Sequence, residues 1–358
     1  MRTLRRYISG QVFVSTVLVC AALLLLFSFF DLIHELSDVG KGSYRLSLAV
    51  LYVLLSVPGH LYELFPIAAL LGTLFALARL VAQSEYGVMR ASGVSAAAIA
   101  WVLVQVGFGF AVLTFLIGEY VSPASEQAAQ RLRLKTTSSS VIAQEFRSGL
   151  WVKDDTSFIN VARVMPETMI HDVRIYEFDS EYKLRTISRA RSGEFQGGNL
   201  WRLNNVQQTR LSDSGTSVST IAHADWHSVL NPAVLSVLMI VPEQLSLSEL
   251  LGYIQHLRIN RQETSRYEVA LWNKLTYPFA VLVMMILALP FANAQVREAS
   301  VGSKVFAGIM LGLGFHLLNR LFGHVGLLNA WPPVISATFP TIVFLGVALL
   351  LMRRQERR

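Results

Sequence analysis

The chain has 358 residues, of which 53% are hydrophobic and 15% charged, with a formal net charge of +7. It is too apolar for an ordinary soluble protein and too charged in its middle to lie wholly in a bilayer, so a membrane part and a soluble part are expected. A lone cysteine, Cys20, excludes an internal disulfide, and arginines placed beside apolar runs fit retention on the cytoplasmic side and anionic lipid better than nucleic acid.

Arg2, Arg5 and Arg6 precede the apolar run Gln11 to Ile33. The run is too long for a signal-peptide core and no small-x-small cleavage site follows, so an uncleaved transmembrane helix is expected. Bulky Val19 argues against a lipoprotein site at Cys20. Six segments are long enough to cross a hydrocarbon core of roughly 30 Å, at about 11–33, 60–80, 95–118, 272–292, 301–322 and 334–352. The short stretches on one side carry Arg79, Arg90, Arg297, Lys304, Arg353 and Arg354 besides the N-terminal arginines, whereas those opposite carry only Lys41 and Arg45. The positive-inside rule then puts both termini and the 79–95 loop in the cytoplasm and residues 119 to about 268 outside.

Pro58-Gly59 and Pro66 interrupt the long second apolar region, and the disruption a proline causes predicts an interfacial helix at 46–57 with the span after it. His60 and Glu63 then sit near the outer interface, where snorkelling to headgroups and a role in ligand entry are both open. Asp31, His34, Glu35, Asp38, Lys41 and Arg45 follow the first span; Glu119, Pro123, Glu126, Arg131, Arg133 and Lys135 follow the third; Arg320 and Asn319 end the fifth. Such clusters are either solvated helix ends or the rim of a cavity for an amphiphile with a charged head.

Between the third and fourth spans the pattern changes to strands: Leu150 to Lys153, Ser157 to Val164, Asp172 to Phe178, Lys183 to Ser188, Leu200 to Leu203 and Thr216 to Ile221, with Asp154-Asp155, Gly197-Gly198-Asn199 and Asp213-Ser-Gly215 as turns. This spacing favours a sandwich or a jellyroll-like domain. Ser246-x-x-Glu249 forms a capping box ahead of Leu250, Leu251, Ile254 and Leu257 on one face, so an amphipathic helix over about 246–258 leads back to the membrane. The fold class is thus an α-helical membrane protein with six transmembrane helices and an inserted all-β, jellyroll-like domain, divided as 1–118, 119–267 and 268–358.

No chemistry of an enzyme emerges. Gly302-Ser-Lys304 lacks the rest of a P-loop, and the histidines lack the close spacings of metal ligands. The polar interruption from Arg79 to Ser95 is more informative. It sets Gln83, Ser84, Glu85, Arg90 and Ser92 beside Tyr86, Val88 and Met89 and stops at Gly93. It reads either as a short helix lying on lipid or as a docking helix for a cytoplasmic partner. Glu85 suits an arginine on a protein better than an anionic headgroup.

Several blocks resemble the LptF/LptG family of lipopolysaccharide-export permeases, and its LptG branch in particular. They include Gly42-Ser-Tyr44, Leu54-Leu-Ser-Val-Pro58, Phe65-Pro-Ile-Ala-Ala-Leu-Leu-Gly72, Gln83-Ser-Glu-Tyr-Gly-Val-Met-Arg-Ala-Ser-Gly-Val-Ser95, Ile117-Gly-Glu119, Trp272-Asn-Lys274 and Trp331-Pro-Pro333. The resemblance implies an inner-membrane permease that pairs with a homologous LptF. It implies further that two copies of the cytoplasmic ATPase LptB hold ATP and magnesium, leaving no cofactor to be expected in this chain, and that LptC and the periplasmic bridge LptA receive the lipopolysaccharide. It implies a coupling helix at about 81–93, carrying Gln83, Ser84, Glu85, Tyr86, Val88, Met89, Arg90, Ser92 and Gly93, that seats on the ATPase. It maps Asp31, His34, Glu35, Asp38, Lys41, Arg133 and Arg320 to the rim of the substrate cavity. The chain departs from the family where lysines are expected beyond the first span: it has Asp31, Glu35 and Asp38 there. Acidic groups oppose phosphate unless a divalent cation or a less phosphorylated lipid A intervenes. A permease for another lipid, or a non-transporting scaffold, is the alternative reading.

Overall fold

A computed structural model of the chain describes residues 2–40, 44–136, 150–154, 156–165, 169–179, 181–212, 215–228, 242–259, 262–294 and 301–356. Six helices are long and apolar enough to cross a membrane. In chain order the helices are α1 (Arg2–Leu36), α2 (Leu46–Ala82), the short α3 (Glu85–Ala91), and α4 (Ala96–Leu116), which runs through a π turn (Ile117–Val121) into α5 (Ser122–Thr136). After the β insert come α6 (Leu247–Ile259), α7 (Ser265–Ala294), α8 (Val301–Leu328) and α9 (Pro333–Glu356).

The spans are not equivalent. The most apolar stretch of α2 is 78% buried and that of α7 61%, against 22% in α1 and in α8. One apolar core joins α1, α2, α4 and α7 through residues such as Val12, Phe65, Leu77, Leu103 and Met285. A second joins α2, α7, α8 and α9 through Leu70, Met284, Phe315 and Phe344. Helices α2 and α7 therefore form the spine, and α1 leans on it from one side. Gly72 sets how closely, because a Cβ there would come within 2.6 Å of the Thr16 backbone nitrogen.

The expected break in the second apolar region does not occur. Helix α2 runs unbroken over 37 residues with Pro58 and Pro66 inside it. In apolar surroundings an unwound backbone has no water to bond, so packed neighbours tolerate the lost bond while the helix is kept. Likewise α4 does not end at residue 118. The π turn, in which the Ser122 N–H bonds the Ile117 carbonyl, opens the backbone just ahead of Pro123, and the helix continues.

The insert is an antiparallel sheet of six described strands in sequential order: β1 (Leu150–Asp154), β2 (Ser157–Met165), β3 (Met169–Phe178), β4 (Leu184–Gly197), β5 (Leu200–Ser212) and β6 (Gly215–His227). Each strand is the hairpin neighbour of the next, with pairs such as Ile159↔Ile175 and Trp201↔Trp226. One face carries the core of Ile159, Val161, Ile170, Val173, Ile175, Ala190, Trp201, Leu203 and Val206. Strands β4 to β6 are longer than expected. In β4 the buried positions Ser188, Ala190 and Gly193 are small or polar and stand between exposed Arg189 and Arg191 and half-buried Glu194, so apolar alternation does not mark the strand.

A polar joint ties this insert to the bundle. The capping box forms, with Ser246 N–H donating to Glu249 Oε2 at 2.8 Å and Glu249 N–H to Ser246 Oγ at 3.2 Å. Burial pushes the Glu249 carboxyl up, but the Ser246 N–H and hydroxyl, Gln127 and Lys274 outweigh it and hold the group below its ordinary 4.5. Its folded pKa is thus depressed, so this stabilisation is complete at neutral pH and is lost as pH falls through that lowered value. From the π turn, Glu119 Oε2 accepts the Leu247 N–H at 2.8 Å. Buried Lys274 of α7 donates to the Leu245 carbonyl and lies 3.9 Å from Glu119.

Candidate functional site

Two polar regions lie at opposite ends of the bundle. At the arginine-rich end, α2 runs as far as Ala82, so Leu80 and Val81 belong to it and Leu80 is buried. Gln83 and Ser84 form the turn, with Ser84 in the left-handed region at φ 61°. Helix α3 then covers seven residues. Tyr86 and Met89 pack against the core that holds Ile8 and Leu80, which pins α3 to the bundle. Val88 is 64% exposed, and Gly87, Arg90, Ala91 and Ser92 are exposed with it. The helix closes with Gly93 at φ 87°, the Val94 N–H returning to Met89 O at 3.1 Å, and Arg90 reaching the Val94 carbonyl at 3.2 Å. Glu85 accepts a hydrogen bond from the Tyr7 hydroxyl of α1 at 2.8 Å, a contact that spacing along the chain did not indicate.

At the other end, the acidic residues at the end of α1 and just beyond it, Asp31, Glu35 and Asp38, each meet a partner from elsewhere in the chain. Asp31 is hydrogen-bonded to His60 of α2. Glu35, 3% exposed, accepts the Tyr44 hydroxyl at 2.7 Å. Asp38 pairs with Arg133 of α5 at 3.3 Å, and that guanidinium lies 5.8 Å from the centre of the Tyr52 ring. Glu126 of α5 is buried against Gly59, where a Cβ would collide with its carboxylate. Arg320 of α8 stands in a separate group: it reaches Glu63 at 3.0 Å, with His316 at 3.6 Å from the same oxygen and the Tyr277 hydroxyl on the Glu63 carbonyl. His34 is exposed, and Lys41 lies outside the described residues. The structure thus gathers Asp31, Glu35, Asp38 and Arg133 into one cluster, leaves His34 on its open side and sets Arg320 apart. The charges of the α1 carboxylates point into the protein, so they do not confront an anionic ligand as isolated acids.

The model of the family described as lipopolysaccharide export system permease LptF/LptG matches residues 6–354. The chain belongs to this family. Among curated LptF/LptG relatives, the lipopolysaccharide export system permease protein LptG of Escherichia coli strain K12 is 32% identical over 356 residues, covering 99% of this chain and 98% of that protein. LptG of Haemophilus influenzae strain Rd is 30% identical over 357 residues, covering 99% of each. The chain is a transporter permease subunit with six apolar spans in the inner membrane, not an enzyme of the usual kind. Sequence reasoning missed Tyr7, Tyr44 and Lys274 as structural partners of its LptF/LptG motifs; the only signal was that Tyr44 and Lys274 fall inside motif blocks.

Proposed function

We propose that this permease is the LptG-type half of a lipopolysaccharide extractor. It pairs with an LptF and is driven by two copies of the ATPase LptB, which bind ATP and magnesium; LptC and LptA take the lipid onward. In this reading the termini and α3 face the cytoplasm, and the sheet stands in the periplasm. Family membership over residues 6–354 disfavours a permease for another lipid and a non-transporting scaffold.

The observation that carries the reading is the build of α3. A helix lying on lipid would turn its apolar side chains to the membrane surface. Here Tyr86 and Met89 are spent on the bundle, while Val88 and Arg90 are exposed. That leaves a small apolar knob ringed by polar groups, suited to a protein groove. At the opposite end, the Asp31, His34, Glu35, Asp38 and Arg133 cluster and, apart from it, Arg320 form the rim where lipopolysaccharide enters.

Glu85→Arg is expected to lower co-purification of the ATPase at least about tenfold, because a hydrogen-bonded charge contact is reversed in sign. The spans should stay folded, as judged by an unchanged gel-filtration profile. Wild-type association and export in that variant would remove the role given to this carboxylate.

A further inference from the structure

A stroke delivered to α3 needs a route to the rim. Helix α3 is joined to α2 by the Gln83-Ser84 turn, but α2 is wedged between both apolar cores, so moving it means repacking most of the bundle. Besides the chain link onward to α4 and the Tyr86 and Met89 contacts with the core, α3 is held by the hydrogen bond from Tyr7 to Glu85. Tyr7 lies next to Ile8, which is buried in the same core that receives Tyr86 and Met89. Helix α1 runs in all for 35 residues with no proline, a rod of about 50 Å at the usual rise per residue. Its far end carries Asp31 and Glu35, with Asp38 just beyond, bonded to His60, Tyr44 and Arg133. Only 22% of its apolar stretch is buried, so α1 can shift along the spine with less repacking than α2.

We propose that Tyr7 is a positioning residue for transport, passing displacement of α3 through α1 to the polar rim. The proposal rests on α3 being the coupling helix. A carboxylate has acceptor sites for more than one donor, so Glu85 can keep the Tyr7 hydroxyl while it takes a donor from the ATPase. Tyr7 then acts after docking.

The test uses the assembled permease pair with its ATPase in proteoliposomes, with lipopolysaccharide as the probe. It reads ATPase bound per permease, ATP hydrolysed, and lipopolysaccharide released per ATP. Tyr7→Phe removes one hydroxyl from a side chain that is 40% exposed. It is expected to keep the ATPase bound and hydrolysis within about twofold, while lipid released per ATP falls about fivefold to tenfold, the equilibrium value of one ordinary net hydrogen bond. An unchanged yield of lipid per ATP overturns the proposal. So does loss of ATPase binding, which would make Tyr7 a docking residue. Val88→Asp leaves the Tyr7 to Glu85 bond in place and tests the other premise: if it retains the ATPase, the coupling reading of α3 fails whatever Tyr7 does.

Discussion

Lys274→Met is expected to destabilise the protein by about 3–5 kcal/mol, the usual cost of removing one member of a buried ion pair. Lys274 is 6% exposed and the Glu119 side chain beside it 12%. Without the ammonium, Glu119 keeps the Leu247 N–H but loses its counter-charge, and the Leu245 carbonyl loses its donor. The effect should appear as a lower apparent melting temperature in detergent and faster proteolysis next to Leu245 and Leu247, where the joint opens. Lys274→Met combined with Glu119→Gln should recover much of the loss, because Gln still accepts the Leu247 N–H and leaves no buried charge. A single variant as stable as wild type would show that the joint does not hold the insert.

At the α1–α2 crossing, Gly72→Val is expected to cost about 3 kcal/mol or more, the upper end for overpacking. What the new side chain would meet is the backbone of Thr16, at 2.6 Å from its nitrogen, and a helix backbone cannot turn aside as the tip of a side chain can. The shift would lift α1 off Phe65 and Leu77 and loosen it along its length. Gly314→Ala on α8, where nothing lies within 4 Å of the added Cβ, should be neutral. Comparing the two melting temperatures separates a packing effect from a general loss of glycine.

Much of this architecture was legible in the chain. Apolar length located all six spans, and the Ser246-x-x-Glu249 box located the start of α6. Pro58 and Pro66 misled, because proline counts as a breaker where water can receive the freed backbone, and α2 has packed helices around it instead. Strand β4 outruns the alternation visible in the sequence because small or polar side chains such as Ser188, Ala190 and Gly193 fill its inward positions. The polar clusters were visible as clusters, but not as pairs. Glu35 finds Tyr44 nine residues away, whereas Asp31 finds His60 at 29 and Asp38 finds Arg133 at 95. Only the folded bundle brings such partners together, so the excess of acid after the first span looked like an obstacle to phosphate when it is internally bonded. Glu85 shows the same limit, since its partner Tyr7 lies 78 residues away.

Lipopolysaccharide is expected to pass the far end of α1, where His34 stands. This histidine is exposed beside the bonded carboxylates, so a photoreactive amino acid can replace it without breaking the cluster. Irradiation in the intact inner membrane is expected to yield a lipopolysaccharide adduct that diminishes when ATP turnover clears the cavity. An adduct with a different lipid, no adduct at His34, or equally strong labelling at an exposed mid-helix position such as Leu18 would overturn this path.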